Sequence, residues 1–234
     1  MKLYYDLHIH SALSPCGDDS MTPNNIVNMA YLKGLDILAI TDHNSYYNVE
    51  TLIELGKSKD ILVIPGMEVT TLEDIHLLCY FDSINSLKEF GEKIFNSLPS
   101  IDNNKELFGN QLILDKEDNV IGEIQKLLIN GSEFSIDRIY TMVEEKNGVV
   151  IPAHVDKKSY SILSVLGFIP EQFNVKFVEI KNKSYCNKLI ESYRYIYNSD
   201  AHYLGDINEA TNQLDIKEKS IGEVLKYLKM RDKY

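Results

Sequence analysis

The chain has 234 residues, 44% of them hydrophobic, which is enough to bury a substantial core in one α/β domain. Its formal net charge of −11 disfavours a broad surface that tracks nucleic-acid phosphates or anionic lipid, so long nucleic acid is an unexpected partner; a small anionic substrate remains compatible if metal ions supply local positive charge. Three cysteines without C-x-x-C spacing argue against a disulfide framework and a thiolate zinc finger, and no apolar leader or run near the roughly 18 residues of a membrane span is visible, which predicts a protein of the reducing cytoplasm.

Apolar runs rich in Leu, Ile and Val predict seven strands: Leu3 to Ile9, Asp36 to Ile40, Ile61 to Ile64, Ile75 to Phe81, Gly148 to Pro152, Val175 to Ile180 and Tyr193 to Asn198. Between the first two, "TPNNIVNMAYLKG" places Thr22 as N-cap, Pro23 at the first helical position and Gly34 just past the end of a helix. Further helices are expected at about Asn48 to Ser58, Ser83 to Leu98, Ser135 to Lys146, Ser159 to Leu166 and Ser220 to Met230. Such alternation predicts a mainly parallel sheet, and about seven repeats favour a closed or nearly closed barrel over an open doubly wound sheet, for which no G-x-G-x-x-G or P-loop speaks. One domain over residues 1–234 is expected, with a polar insertion around 99–131 in which "QLILDKEDNVIGEI" reads as a hairpin or small excursion over one end.

The six histidines are His8, His10, His43, His76, His154 and His202, and each falls in or just after a predicted strand. In "DLHIHS" strand alternation turns His8 and His10 to one face and Leu7 and Ile9 to the other. His43 follows the second strand, Glu68 the third, His154 the fifth and His202 the seventh. Residues beyond the C-terminal ends of parallel barrel strands surround one mouth. His76 opens its strand, and reaches that mouth only if the strand runs antiparallel. Neutral imidazoles mixed with carboxylates suit zinc, manganese or iron, and six histidines exceed the needs of one tetrahedral ion.

The set "DLHIHS", "ITDHN", "GMEVTT", "IHLLCYF", "IPAHVD" and "NSDAH" resembles the polymerase and histidinol phosphatase (PHP) superfamily of metal-dependent phosphoesterases. The resemblance implies a distorted seven-stranded (β/α)7 TIM-like barrel with two or three divalent ions at its mouth. It implies His8, His10 and Asp200 as ligands of one metal, Glu68 as the bridge to a second metal held by His76 and His154, and His43 with His202 at a third. Where many members carry another third-site ligand, this chain offers Cys16 or Asp18, of which Cys16 is read rather as an inert buried thiol. Asp6 and Asp42 are candidates for orienting an imidazole N–H.

Closely spaced divalent ions lower the pKa of a bridging water and neutralise phosphoryl oxygens, so the implied reaction is hydrolysis of a phosphate ester by a metal-bridging hydroxide. No G-x-S-x-G or cysteine phosphatase loop offers a covalent route. His43, His202 and Asp42 are candidate acids for the leaving group, and Lys157, Lys158 and Arg194, with Arg138 on a helix face, are candidate substrate anchors. The expected substrate is a small phosphorylated metabolite or nucleotide. An exonuclease or oligonucleotide-degrading enzyme is the nearest alternative; an amidohydrolase-type C–N hydrolase and a non-catalytic metal-stabilised domain are others.

Overall fold

Serine and threonine hydroxyls set where the helices begin. In the computed structural model, which describes residues 1–230, the side chains of Thr22, Ser83, Ser135, Ser161 and Ser220 each accept a backbone N–H three residues on. The elements in order are β1 (Lys2–Ile9), α1 (Pro23–Leu32), β2 (Ile37–Ile40), α2 (Val49–Ser58), β3 (Leu62–Thr70), β4 (His76–Tyr80), α3 (Ile84–Ser97), α4 (Lys105–Phe108), β5 (Leu112–Leu114), β6 (Val120–Glu123), α5 (Ile136–Glu144), β7 (Val149–Pro152), α6 (Ile162–Leu166), β8 (Phe177–Glu179), β9 (Arg194–Ile196), β10 (Gln213–Asp215) and α7 (Ile221–Lys229). Residues 231–234, the end of the expected domain, lie outside the described residues. Among the described residues no helix is long and apolar enough to cross a membrane.

Each of the seven expected strand segments forms a strand, but they do not make a (β/α)7 barrel. The main sheet has six strands in the order β10-β1-β2-β3-β4-β7, and β8 and β9 form a separate parallel pair. The fold is mixed α/β around an open sheet, with β4 antiparallel to both β3 and β7, and β10 antiparallel to β1. The cause at β4 is chain length: only Thr71–Ile75 separates it from β3, closed by Thr71 N–H to Ile75 O at 2.9 Å, and a parallel crossover needs a dozen residues or more.

β3 outruns its expected end at Ile64 because it changes partners. Residues Leu62 to Pro65 pair in parallel with β2, and Gly66 to Thr70 pair antiparallel with β4. Gly66 sits at the switch, where a Cβ would lie 3.0 Å from Thr41 Cγ2 and 3.1 Å from Tyr80 Cδ1, so no larger residue fits without displacement. Glu68 therefore lies inside a strand rather than after one.

The sheet separates two apolar regions. Leu3, Tyr5, Leu7, Ile37, Ala39, Ile64, Leu78, Tyr80 and Ile151 share an inner face covered by Val224, Leu225 and Leu228 of α7, while Ile9, Leu38, Ile40, Val63, Leu77 and Phe81 pack outward with residues of α1, α2, α3 and α5. Simple alternation would put Ile9 inside with Leu7. A bulge in β1 prevents this: Asp6 pairs with Leu38 but Ile9 with Ile40, so one extra residue occupies β1. The expectation that Leu7 and Ile9 share a face is corrected accordingly, and the same bulge brings His8 and His10 to the interior that also holds Glu68 and His76.

The 99–131 segment contains α4 and the antiparallel hairpin β5–β6. It is tied to the body where Leu112 N–H meets Ala12 O at 2.8 Å and Asn48 brackets Leu112 O and Leu114 N.

Candidate metal centre

Glu68 lies at the middle of a buried ring of imidazoles. Its Oε1 is 3.0 Å from His76 Nδ1, 3.2 Å from His154 Nε2 and 3.4 Å from His8 Nε2, and its Oε2 is 3.1 Å from His43 Nδ1 and 3.4 Å from His10 Nε2. Asp200 Oδ1 approaches His8 Nε2 at 3.4 Å and His10 Nε2 at 3.3 Å. His202 donates through Nδ1–H to the Asp200 carbonyl at 2.9 Å and stacks on His10 with centroids 4.3 Å apart. All eight side chains thus converge. His76 arrives because β4 is antiparallel, which puts the start of that strand beside the ends of its neighbours.

Among the described residues, three donor triads are close enough to hold an ion: His8, His10 and Asp200; His43, Glu68 and His76; and His10, His43 and His202, each within 4.8 Å. The first coincides with the set the resemblance implies. The second differs from it, grouping His43 with Glu68 and His76, while His154 stands beside that group, Nε2 on Glu68 and its ring edge-on to His76 with centroids 5.3 Å apart.

Partners behind the ring decide which nitrogens face inward. Glu179 accepts His8 Nδ1–H at 2.9 and 3.1 Å, and also the His154 backbone N–H at 2.8 Å and Asn198 Nδ2–H at 2.7 Å. Ser14 Oγ donates to Asp42 at 2.7 Å and so accepts from His10 Nδ1–H at 2.9 Å and from the His43 N–H at 3.1 Å. Both His8 and His10 therefore turn Nε2 inward, 3.1 Å apart, a contact that is satisfied by a proton on one of them or by a metal cation beside both. Buried His43 Nδ1, Glu68 Oε2, His76 Nε2 and His154 Nδ1 have no hydrogen-bond partner. This donor set, with its orphaned atoms, fits divalent metal ions.

The electrostatics agree. Burial opposes charge on Glu68, yet the imidazoles of His76, His8 and His43 outweigh it and hold the carboxylate well below its usual range. Burial likewise opposes charge on Asp200, which His8 and His10 hold low. At His8 burial is outweighed by Glu179, Glu68 and Asp200, so the imidazole is pushed up; at His43 burial dominates and the imidazole is pushed well down. His202, under burial and the nearby His10, falls to about 4.

Several expected roles are corrected. Asp42 is fully buried behind His10, its oxygens accepting from Ser11 N–H, Ser11 Oγ–H and Ser14 Oγ–H, so it has no route to a leaving group and acts on His10 through Ser14. Asp6 bonds no imidazole: it accepts the Ser199 and Asn208 N–H groups at 3.0 Å each and fastens the late loop to β1. Arg194 begins β9, at the far end from Asp200, where its guanidinium sits 4.4 Å from the Phe177 ring and 4.5 Å from the Tyr227 ring and donates to Tyr227 Oη at 2.7 Å. Arg138 is exposed on α5, and Lys158 is exposed outside the cavity lining. Asp18 accepts from Ser20 instead of facing the ring. Cys16 is exposed rather than buried and lines the mouth, where crowding by protein and the charge of Glu68 push its thiol up to about 12.

Lys157 does stand at the mouth, 2.5 Å from Asp200 Oδ2, with Lys181 3.4 Å from the same oxygen. The cavity, about 210 Å³, is lined by Cys16, His43, Glu68, His76, Ile129, His154, Lys157, Ser159, Tyr160, Asp200 and His202. Glu179 escaped the sequence reading. The available signal was a lone acid between apolar residues of a buried strand, since a buried charge demands a partner.

The PHP domain family model matches residues 6–234. The chain belongs to the PHP family. This PHP domain is 34% identical over 71 residues to a 5'-3' exoribonuclease of Haemophilus influenzae, a match covering 30% of this chain and 25% of that one. Its fold is similar to the lesion-specific endonuclease Q of Pyrococcus furiosus, with TM-score 0.68, 20% identity and coverage of 98% of this chain and 56% of that one. A chain named as a candidate metal-dependent phosphoesterase of Bifidobacterium adolescentis has TM-score 0.63 and 16% identity, over 95% of this chain and 96% of that one. The PHP domain thus spans only part of the exoribonuclease and of endonuclease Q. A second endonuclease Q structure, with TM-score 0.67, holds a 27-mer duplex with an abasic lesion at the active site. The expectation that long nucleic acid is an unlikely partner is overturned by that complex. Net charge sums over a whole surface, whereas local groups at the mouth decide what enters.

Proposed function

We propose that this PHP-family metal-dependent hydrolase cleaves a phosphate ester of a small phosphorylated metabolite or nucleotide at the ring around Glu68. The observation that carries the reading is the pair of inward Nε2 atoms on His8 and His10, held by Glu179 and Ser14 beside Glu68 and Asp200. His8, His10 and Asp200 would hold one ion, Glu68, His76 and His154 a second, and His43 with His202 a third; zinc, manganese and iron suit the donors. Such ions supply an activated water and neutralise the charge on phosphoryl oxygens. Lys157 at the rim attracts the anionic group, and Glu179 and Ser14 keep both inner histidines in one tautomer. Of the candidate acids, His202 is more exposed at the rim than buried His43; with its Nδ1–H on the Asp200 carbonyl, it would meet the leaving oxygen through Nε2 only with the third site unfilled. Three free thiols are consistent with a cytoplasmic setting.

A nuclease is the second reading, favoured by the local match to an exoribonuclease and the fold shared with endonuclease Q. Elemental analysis of freshly purified protein, paired with phosphate-release assays on sugar phosphates, a nucleotide monoester, a nucleoside bisphosphate and a single-stranded oligonucleotide, separates the two. His10→Ala and Glu68→Ala are expected to lower both metal content and hydrolysis by about 100-fold or more. Processive degradation of the oligonucleotide would establish the nuclease reading, and amide hydrolysis without phosphate release would sink both.

A further inference from the structure

One wall of the mouth is aromatic. Tyr160 follows β7 in a loop and has φ +55°, a left-handed conformation that a bulky side chain adopts at a cost. That loop displaces the start of α6 from its expected place at Ser159 to Ile162. The strained backbone is anchored on the metal centre itself, because the Tyr160 carbonyl accepts the His76 N–H at 2.8 Å. The Tyr160 ring lies against the His76 ring, with centroids 4.7 Å apart and planes 20° from parallel. One ring face is thus covered, yet the residue remains 46% exposed and lines the cavity, so the opposite face and edge are open towards whatever occupies the mouth. Ile129 and Lys157 line the same cavity and add an apolar contact and a cation.

We propose that the open face of Tyr160 is a platform on which the base of a nucleotide stacks while its phosphate sits at the Glu68 ring. The assignment rests on the phosphoester reading and narrows its substrate class. A ring bonded directly to the phosphate, as in an aryl phosphate, would lie over the histidines; Tyr160 stands one imidazole farther out, beyond His76. A polar spacer between phosphate and planar ring is therefore required, and a ribose supplies one. Stacking is tolerant of base identity, since every base has a π face.

The test compares AMP with ribose 5-phosphate on wild-type protein, Tyr160→Leu and Tyr160→Phe. Tyr160→Leu should raise KM for AMP about 10-fold or more, with kcat for AMP and both constants for ribose 5-phosphate within about 2-fold of wild type, and Tyr160→Phe should retain the wild-type KM. Equal losses on both substrates would reduce Tyr160 to a support for His76, and no change on either would remove it from the site; both overturn the platform. Ligand-observed NMR with adenosine needs no turnover: binding lost in Tyr160→Leu and kept in Tyr160→Phe sustains the platform even if no phosphoester is cleaved, a result that would sink the phosphoester reading alone. Absence of adenosine binding to wild type together with no preference for AMP over ribose 5-phosphate would refute the platform.

Discussion

The two sides of the metal centre are built differently. On the early side, His8, His10, His43, Glu68 and His76 lie on or beside β1 to β4, four strands in one ladder, where pairing registers hold each residue. On the late side, His154 follows β7, the end strand of that sheet, and Asp200 and His202 follow the three-residue strand β9, all in loops, with His154 at φ +29° and Asp200 at φ +51°. Here backbone pairing shrinks to a bridge between Ile9 and Ala201 and single bonds at Ala153 and Val155, and side chains add to it: Glu179 holds the His154 N–H, Asp6 holds the Ser199 N–H, and Lys157 and Lys181 hold Asp200. Strand pairing positions ligands through many shared bonds, whereas a loop depends on a few named ones, so single substitutions should act more strongly on the late side.

Among the residues that support the ligands from behind, the largest effect is expected from Glu179→Gln, which weakens the acceptor for both His8 Nδ1–H and the His154 N–H: metal affinity should fall about 10–100-fold, read by competition with a chromogenic chelator. Retained affinity would show that the loops hold themselves. Ser14→Ala, on the early side, removes the acceptor for His10 Nδ1–H but leaves the ladder intact, and should cost about 10-fold by the same assay, nearer the lower limit. Equal losses for the two variants would erase the contrast. Chelation of the metal-loaded protein should then speed amide hydrogen exchange in residues 154–160 and 199–203 while leaving β2 and β3 protected; uniform exchange would contradict a ladder that stands without metal.

The smallest effect concerns pH. In metal-free protein His202 titrates near 4 against an ordinary 6.5, because burial and His10 disfavour its charged form. As pH falls from about 6.5 the unfolded chain takes up this proton before the folded chain does, so the residue's contribution to stability is full above that pH and is lost towards pH 4. His202→Gln should flatten the slope of unfolding free energy against pH by up to about one proton in that window, measured from urea midpoints; an unchanged slope would show that His202 is not held neutral.

Much of the centre was legible before the fold. Histidines at strand ends, the H-x-H pair and the lone Glu68 are local features. Less was legible wherever a residue's partner lies far along the chain. Asp6 and Asp42 were expected to orient imidazoles, but that work falls to Glu179, 171 residues from His8, and to Ser14, which is near His10 but is itself set by Asp42, 28 residues on. Arg194 was a candidate substrate anchor, yet it begins its strand and faces Phe177 and Tyr227 at the end away from Asp200.

What the sequence by itself determined is the supply of donors: which nitrogens and carboxylates exist, that each accompanies a strand, and that helices begin at hydroxyl caps. These follow from periodicity and from hydrogen bonds within a few residues. Only the tertiary structure decided which way those donors face, because the bulge in β1, the change of partner at Gly66 and the antiparallel course of β4 are settled by neighbouring strands. A side chain's direction in a sheet reverses with each single-residue shift in register, and that register belongs to the pair of strands rather than to either one.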